Sequence, residues 1–179
     1  MTNASGDFEL TMDELRVVAR FAAESAQGVL PTYEDANPGD SRPRAALDAA
    51  WEFANGARRT KAQRVTSLDA HRAAKEAATE AACLAARAAG DAAAAAYLHP
   101  LAKATQVGHI LRAAACAARV AELKAGDDPS VGLQQIELAG RRATPVLVDV
   151  LGRYPLAPVG KSRVAQLMSL LDASLRAAR

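Results

Sequence analysis

The chain has 179 residues, of which half are hydrophobic and only 4% aromatic, and its formal net charge is +2. This length suits one domain with a core of its own. The sequence contains no uncharged apolar stretch of about 18 residues and no basic start followed by an apolar segment, which argues against a membrane span and a secretory signal.

The alanine content predicts the fold class, since 45 of the 179 residues are alanine. Alanine loses no side-chain entropy in a helix and lets neighbouring helices approach closely, whereas the β-branched residues that favour strands are sparse. We therefore predict an all-α fold, a single alanine-rich bundle or array of about six to eight helices. It would occupy residues 11–179, after a flexible lead over residues 1–10, in a cytoplasmic protein.

In the first third of the chain, local signals place three helices. Thr11 and Glu14 have the spacing of a capping box, in which each side chain satisfies a free backbone N–H of the first turn. Gly28 is a plausible stop, and Pro31 suits the first turn of a further short helix. Gly56 is a second expected stop. The predicted helices are residues 12–27, 31–36 and 43–55.

In the rest of the chain, caps and prolines predict the boundaries. Thr66 or Ser67 is expected to cap a helix that ends at Gly90. Pro100 is expected to break the chain there and to begin the main helix. Asp128 is expected to cap a helix with Pro129 in its first turn. Thr144-Pro145 is expected to break that helix, because the residue before a proline leaves the α region. The predicted segments are residues 66–89, a lead-in over 92–99, and then 100–125, 129–143, 146–152 (a short helix, a turn or a strand) and 162–178.

Charge is unevenly distributed along the chain. Residues 1–55 hold ten acids and four bases, whereas residues 56–126 hold five acids and eleven bases. One interpretation is an acidic face that steers a cationic partner; the other is that these are solvated helix faces. The basic stretch 58–75 has no interleaved aromatics for stacking nucleotide bases, so nucleic acid is the less favoured partner.

The candidate motifs for catalysis and metal binding each lack residues that such a site requires. Gly160-Lys161-Ser162 resembles the end of a phosphate-binding loop, but Pro155 stands where that loop needs glycine. His109 and Cys116 share a helix face, yet a metal site there would need ligands from other helices. Cys83 and Cys116 are expected to be buried free thiols. We predict no catalytic residues, no metal and no cofactor.

Two features remain as candidate binding sites. Asp40-Ser-Arg-Pro-Arg44 opens a helix with an acid and two guanidinium groups, which clamp carboxylates well. His109 forms a polar strip with Thr105 and Arg112 on an apolar helix. We predict that Arg42 or Arg44 pairs with an acid, Asp40 or Asp48 being nearest in sequence, in a groove shared with His109. Alternatively, these residues are structural: a helix cap with internal ion pairs, and a hydrogen-bonded histidine.

Taken in order, these features resemble the immunity-protein-5-like family of small helical bacterial proteins, which act as antidotes in polymorphic toxin systems. The resemblance spans residues 10–153. In this sequence, the residues that correspond to the family's motifs are Asp40, Arg42, Pro43 and Arg44, together with Trp51, Thr105 and His109. The chain departs from the pattern at His99-Pro100 and in its tail after Pro155.

The resemblance implies a non-enzymatic binding protein whose partner is a protein toxin. The alternative is a nucleic-acid-associated accessory protein that uses the basic stretch 58–75. Some relatives carry an exonuclease-subunit label, but this sequence lacks the ATP-binding loop that such a subunit needs. Neither reading predicts the oligomeric state.

Overall fold

A computed structural model describes residues 8–178. These residues form eight α-helices: α1 (Met12–Ala36), α2 (Arg42–Ala54), α3 (Lys61–Glu76), α4 (Glu80–Ala94), α5 (Val107–Lys124), α6 (Pro129–Arg142), α7 (Pro145–Gly152) and α8 (Arg163–Ala177). Two 3-10 turns, Ala95–Tyr97 and Ala104–Gln106, separate α4 from α5. Residues 8–178 contain no strand, so the all-α prediction is confirmed, and the strand alternative over 146–151 is wrong.

Helices α1 and α5 are the centre of the array. Helix α1 packs on α2, α4 and α5, and α5 packs on α4, α6 and α8. One apolar cluster joins the first half of α1 to α5, α7 and α8. A second cluster, made largely of alanines, joins the second half of α1 to α2, α3 and α4. Among residues 8–178, none of the helices combines the length and the apolar character needed to cross a bilayer.

Several helix starts lie where the local signals predict them. The capping box is present, with the Glu14 backbone N–H donating to the Thr11 hydroxyl and the Thr11 N–H to the Glu14 carboxylate. Asp128 and Thr144 cap α6 and α7, each just before a proline. Ser162 caps α8. The predicted caps at Thr11 and Asp128, the predicted break at Thr144-Pro145 and the predicted helix after Ser162 are confirmed, because each depends only on neighbouring residues.

Helix α1 is longer than predicted. It runs through Gly28 and Pro31 to Ala36, so the expected stop and the expected separate short helix are both wrong. Leu30 and Tyr33 lie after the stop expected at Gly28, and both are almost completely buried. The burial of two large side chains stabilises the helix by more than a lost backbone hydrogen bond destabilises it.

The boundaries of α3 and α4 also differ from the prediction. Thr60, not Thr66 or Ser67, caps α3, through a capping box with Gln63. The expected single helix is broken before α4, which then continues through Gly90 to Ala94. Gly90 is not a stop, because it lies where α3 packs on α4 and a Cβ atom there would be 3.0 Å from the His71 ring.

The main helix begins at Val107 and not at Pro100. Tertiary contacts hold the preceding segment in a non-helical path: the Phe8 N–H donates to the Pro100 carbonyl at 3.2 Å, and the Tyr154 hydroxyl donates to the His99 carbonyl at 2.9 Å. The ring of Phe8 also packs edge-on against Tyr154. Of the predicted flexible lead, residues 1–7 lie outside the described residues.

Candidate functional site

The Asp40–Arg44 motif forms a polar corner where α1 ends and α2 begins. The Asp40 carboxylate accepts hydrogen bonds from the Tyr33 hydroxyl at 2.6 Å and from the Arg42 guanidinium at 2.7 Å. Arg42 also bonds Glu76 at the end of α3. The Arg42 guanidinium holds the pKa of Asp40 well below its usual range. Burial and this carboxylate raise the pKa of Tyr33 to about 12. The corner therefore fastens three helices together.

Both arginines of the motif pair with acids, as predicted. Arg44, however, pairs with Glu34 of α1, through two bonds of 2.8 Å, and not with Asp40 or Asp48. The predicted groove shared with His109 is wrong, because Asp40 and Arg44 line a small depression at the end of α1 and His109 lines another one. Helix α2 packs mainly on α1, α3 and α4, and both α1 and α4 lie between it and α5.

The Arg44→Ala substitution is expected to lower the free energy of unfolding by at most about 1 kcal/mol, because half-exposed ion pairs contribute little. The Arg44 side chain is 43% exposed and Glu34 is 35% exposed. Urea unfolding of Arg44→Ala measures this loss, with Arg141→Ala as the matched control, since Arg141 forms an exposed pair with Glu137. A loss above about 3 kcal/mol would mean that the motif contains a desolvated charge.

The other predicted residues lie apart from one another. Pro43 is buried in the first turn of α2. Trp51 is half-buried beneath the guanidinium of Arg20, 5.4 Å from the ring centroid. Thr105 is exposed in a 3-10 turn and does not line the pocket that contains His109. Of the predicted site residues, only His109 lines this pocket, together with Arg112 from the predicted polar strip.

This pocket, which we name the histidine pocket, gathers all three histidines of the chain. It has a volume of about 470 Å³ and lies between α3, α4 and α5. Its polar lining consists of Arg64, Ser67, His71, Asp91, Tyr97, His99, His109 and Arg112, and Leu68 and Ala94 complete it.

A buried ion pair forms one side of the histidine pocket. The Asp91 side chain is 1% exposed, and the Arg112 guanidinium binds its two oxygens at 2.6 and 2.8 Å. Gly108, one turn before Arg112 on α5, leaves space for the guanidinium, since a Cβ atom there would be 3.1 Å from Arg112 Nη1. This two-point geometry orients the guanidinium and compensates the desolvation of the carboxylate.

Two histidines of the pocket are held in the neutral form. Burial lowers the pKa of His71 and of His109, and the Arg112 charge adds to this effect, while Asp91 opposes it. His71 Nε2 lies 3.5 Å from Asp91 Oδ1. His109 Nδ1 is buried and has no hydrogen-bond partner among the described residues. Nε2 is therefore the ring nitrogen of His109 that a molecule in the pocket can reach.

The surroundings of the histidine pocket are basic. A second depression, of about 460 Å³, shares His71 and Arg112 with the pocket and is also lined by Lys75 and Arg87. Within residues 8–178, no carboxylate lies within ion-pair distance of Arg64, Lys75 or Arg87. This face of α3, α4 and α5, which we name the basic face, therefore carries cations without internal partners.

A larger groove lies on another side of α5. It has a volume of about 750 Å³, between α1, α5 and α6, and small α5 side chains such as Ala114, Ala118 and Ala121 form its floor. Arg142 crosses it to bond Glu24 and Ser25 of α1. Lys124 is an exposed cation at its edge. Its alanine lining follows from composition and indicates no ligand class.

Within residues 8–178, no group of three histidine, cysteine, aspartate or glutamate side chains is placed to hold a metal ion. Cys116 points into the apolar core and not into the histidine pocket, and burial raises the pKa of its thiol to about 12. Both cysteines are free, as predicted, although Cys83 is only half-buried.

Asp91, His71 and His99 are site residues that the sequence does not predict. The signal for them is that three helices each carry polar side chains on alanine-rich faces. The predicted boundaries at Gly90 and Pro100 conceal it, because α4 continues to Ala94 and α5 begins only at Val107.

A comparison with protein families gives one match. A model described as "Imm-5 like putative immunity protein" matches residues 9–139. This span covers α1 to α5, nearly all of α6 and the whole histidine pocket, and it leaves α7 and α8 outside. No curated protein and no solved structure matches the chain.

Proposed function

This chain belongs to the Imm-5 like family, and on that premise we propose that it is an immunity protein, a non-enzymatic antidote that binds a toxin protein in the cytoplasm and blocks its action. The family match over residues 9–139 is the observation that carries the proposal.

The basic face is the surface that we assign to the toxin. Its cations Arg64, Lys75 and Arg87 have no carboxylate partner within the described part of the chain, so an acidic surface of a partner would supply one. The histidine pocket in its centre offers a depression for a side chain of that partner. Anchor side chains in pockets contribute much of the affinity of protein interfaces.

The acidic first third of the chain is a weaker candidate than its composition suggests. Five of its acids form ion pairs with arginines of the same chain: Asp13, Glu14, Glu24, Glu34 and Asp40. These internal pairs neutralise much of the negative charge that was expected to steer a cationic toxin. The charge pattern therefore favours a toxin with an acidic binding surface.

The proposal predicts how charge reversals change the affinity for a toxin encoded beside this chain's gene. Arg64→Glu and Arg87→Glu should each weaken binding about tenfold to a hundredfold, because each introduces like-charge repulsion at the interface. Lys124→Glu makes the same charge change at the edge of the α1–α5–α6 groove and should leave the affinity nearly unchanged. Isothermal titration calorimetry at fixed salt measures all three.

Each outcome of this titration has a distinct meaning. If the unmodified chain does not bind, or no toxin gene lies nearby, the antidote proposal is wrong. If Lys124→Glu weakens binding and Arg64→Glu does not, the antidote proposal stands and the assigned surface is wrong. Circular dichroism of each variant checks that the helices remain intact, which matters most for Arg87→Glu because Arg87 is half-buried.

Nucleic acid is the second candidate partner, because Lys61, Arg64 and Lys75 lie on α3 without internal ion pairs among the described residues. Binding to phosphates would weaken steeply as salt increases. A duplex titration over a range of salt concentrations separates the two functions. The antidote proposal expects no duplex binding even at low salt, and tight, salt-sensitive binding would favour the accessory protein instead.

A further inference from the structure

We propose that the histidine pocket is a binding site for the oxyanion end of a ligand, with Arg64, Arg112 and His109 as its hydrogen-bond donors. The ligand chemistry is a carboxylate or a phosphate group attached to a larger molecule or side chain. The inference holds for a small molecule as well as for a protein partner, so it does not depend on the proposed function.

The size of the pocket points to a molecule larger than an ion. A volume of about 470 Å³ lies within the range of about 300–1,000 Å³ that is typical of small-molecule sites. The lining combines apolar contacts from Leu68, Ala94 and the Tyr97 ring with a few convergent polar groups. Such a lining suits an organic ligand with one polar end.

Donors that lack partners converge on this pocket. Arg112 uses Nε and Nη2 to bind Asp91, and its Nη1 forms no hydrogen bond within the described residues. Arg64 is exposed and has no carboxylate partner there either. His109 can reach the pocket only through Nε2, since its Nδ1 is buried. Guanidinium groups are the preferred partners of carboxylate and phosphate oxygens.

The charge balance of the pocket favours an anion. His109 faces Asp91 of α4, His71 and Arg64 of α3, His99 of the preceding segment and Arg112 of its own helix. When the histidines are neutral, two guanidinium groups oppose one carboxylate, which leaves a net positive site. Each histidine that gains a proton makes the site more positive still.

Binding of an oxyanion should be linked to proton uptake. Burial lowers the pKa of His71 and His109 in the free protein, so both are neutral at neutral pH. An anion beside them stabilises the imidazolium form and raises both pKa values. The bound state then holds more protons than the free state, so the affinity must increase as the pH falls.

Histidine side-chain NMR of the full chain tests this site directly. Inorganic phosphate and acetate are titrated separately at about pH 6 and about pH 8, with sodium chloride at matched ionic strength as the reference. We expect saturable shifts of the His71 and His109 signals. The pH dependence is measured with acetate and with sulfate, a tetrahedral oxyanion like phosphate, because both keep their charge between these pH values, whereas phosphate itself loses a proton. For the anion that binds, we expect a several-fold higher affinity at the lower pH. Saturation by phosphate alone identifies a phosphate site, and saturation by acetate identifies a carboxylate site.

Two matched variants complete the test. Arg64→Gln should lower the affinity for the anion about tenfold, since it removes one charge-assisted hydrogen bond. Lys124→Gln removes the same charge outside the pocket and should leave the affinity unchanged. The proposal is overturned if neither anion shifts the histidine signals beyond the chloride reference. It is also overturned if both variants behave alike, or if affinity does not depend on pH.

Discussion

Glu122→Ala should lower the free energy of unfolding by about 3–5 kcal/mol, the loss expected when one partner of a buried ion pair is removed. The Glu122 side chain is 0% exposed and accepts bonds of 2.6 Å and 3.0 Å from Arg163 of α8. It also accepts a bond from Arg119 of its own helix. Removal leaves Arg163 without a carboxylate, whereas Arg119 retains Glu80 and Asp127.

Gly132 of α6 makes this buried carboxylate possible. A Cβ atom at Gly132 would overlap the Glu122 carboxylate, whereas nothing lies within 4 Å of a Cβ atom at Gly140 of the same helix. Gly132→Ala should therefore destabilise the protein severely. Gly140→Ala is the matched control and should stabilise it slightly, by up to about 1 kcal/mol, because alanine is the better helix former.

Urea unfolding of these variants measures the effect. Equal stability of Gly132→Ala and Gly140→Ala, or a loss below about 1 kcal/mol for Glu122→Ala, would show that α8 does not depend on this ion pair. The pair matters for the whole account because Glu122 lies inside the region that matches the family and Arg163 lies outside it. It fastens the C-terminal helix to the family core.

Asp91→Ala is the second substitution with a large expected effect, again about 3–5 kcal/mol of lost stability. Arg112 makes its two side-chain bonds to Asp91, and its own side chain is only 28% exposed. Without the carboxylate, a mostly buried guanidinium loses its counter-charge. Asp91→Asn keeps the shape and one acceptor, so it should cost less than Asp91→Ala.

The pKa values of the histidines report on the charge of Asp91 independently of the stability of the protein. Although burial is the main cause of their low pKa values, Asp91 partly offsets it at both His71 and His109. In Asp91→Asn the pKa of each histidine should therefore fall further. NMR titration of the histidine signals measures this, and a pKa that stays constant or rises would contradict the electrostatic account of the pocket.

Local sequence signals predicted those elements whose ends depend on neighbouring residues. The Thr11–Glu14 capping box, the Asp128–Pro129 start and the helix start near Ser162 are of this kind. The capping box of Thr60 and Gln63 was equally readable, although the prediction placed the helix start at Thr66 or Ser67. Such boundaries can be read from four consecutive residues.

Tertiary packing decided the elements that the sequence did not predict. Gly90 and Pro31 look like helix breakers, yet one accommodates the His71 ring and the other precedes the buried Tyr33. The histidine pocket depends on the same long-range packing, because α3, the end of α4 and the start of α5 must meet before Asp91 has a partner. The sequence alone therefore shows which residues are present but does not predict that these residues lie close together.

The proposed antidote role is tested most directly by growth protection, in cells that produce a toxin encoded beside this chain's gene. We predict that co-expression of the unmodified chain and of Lys124→Glu restores growth, whereas the double variant Arg64→Glu/Arg87→Glu, present at the same level and folded, does not. Growth arrest in the presence of the unmodified chain, or full protection by the double variant, would contradict an antidote that acts through the basic face.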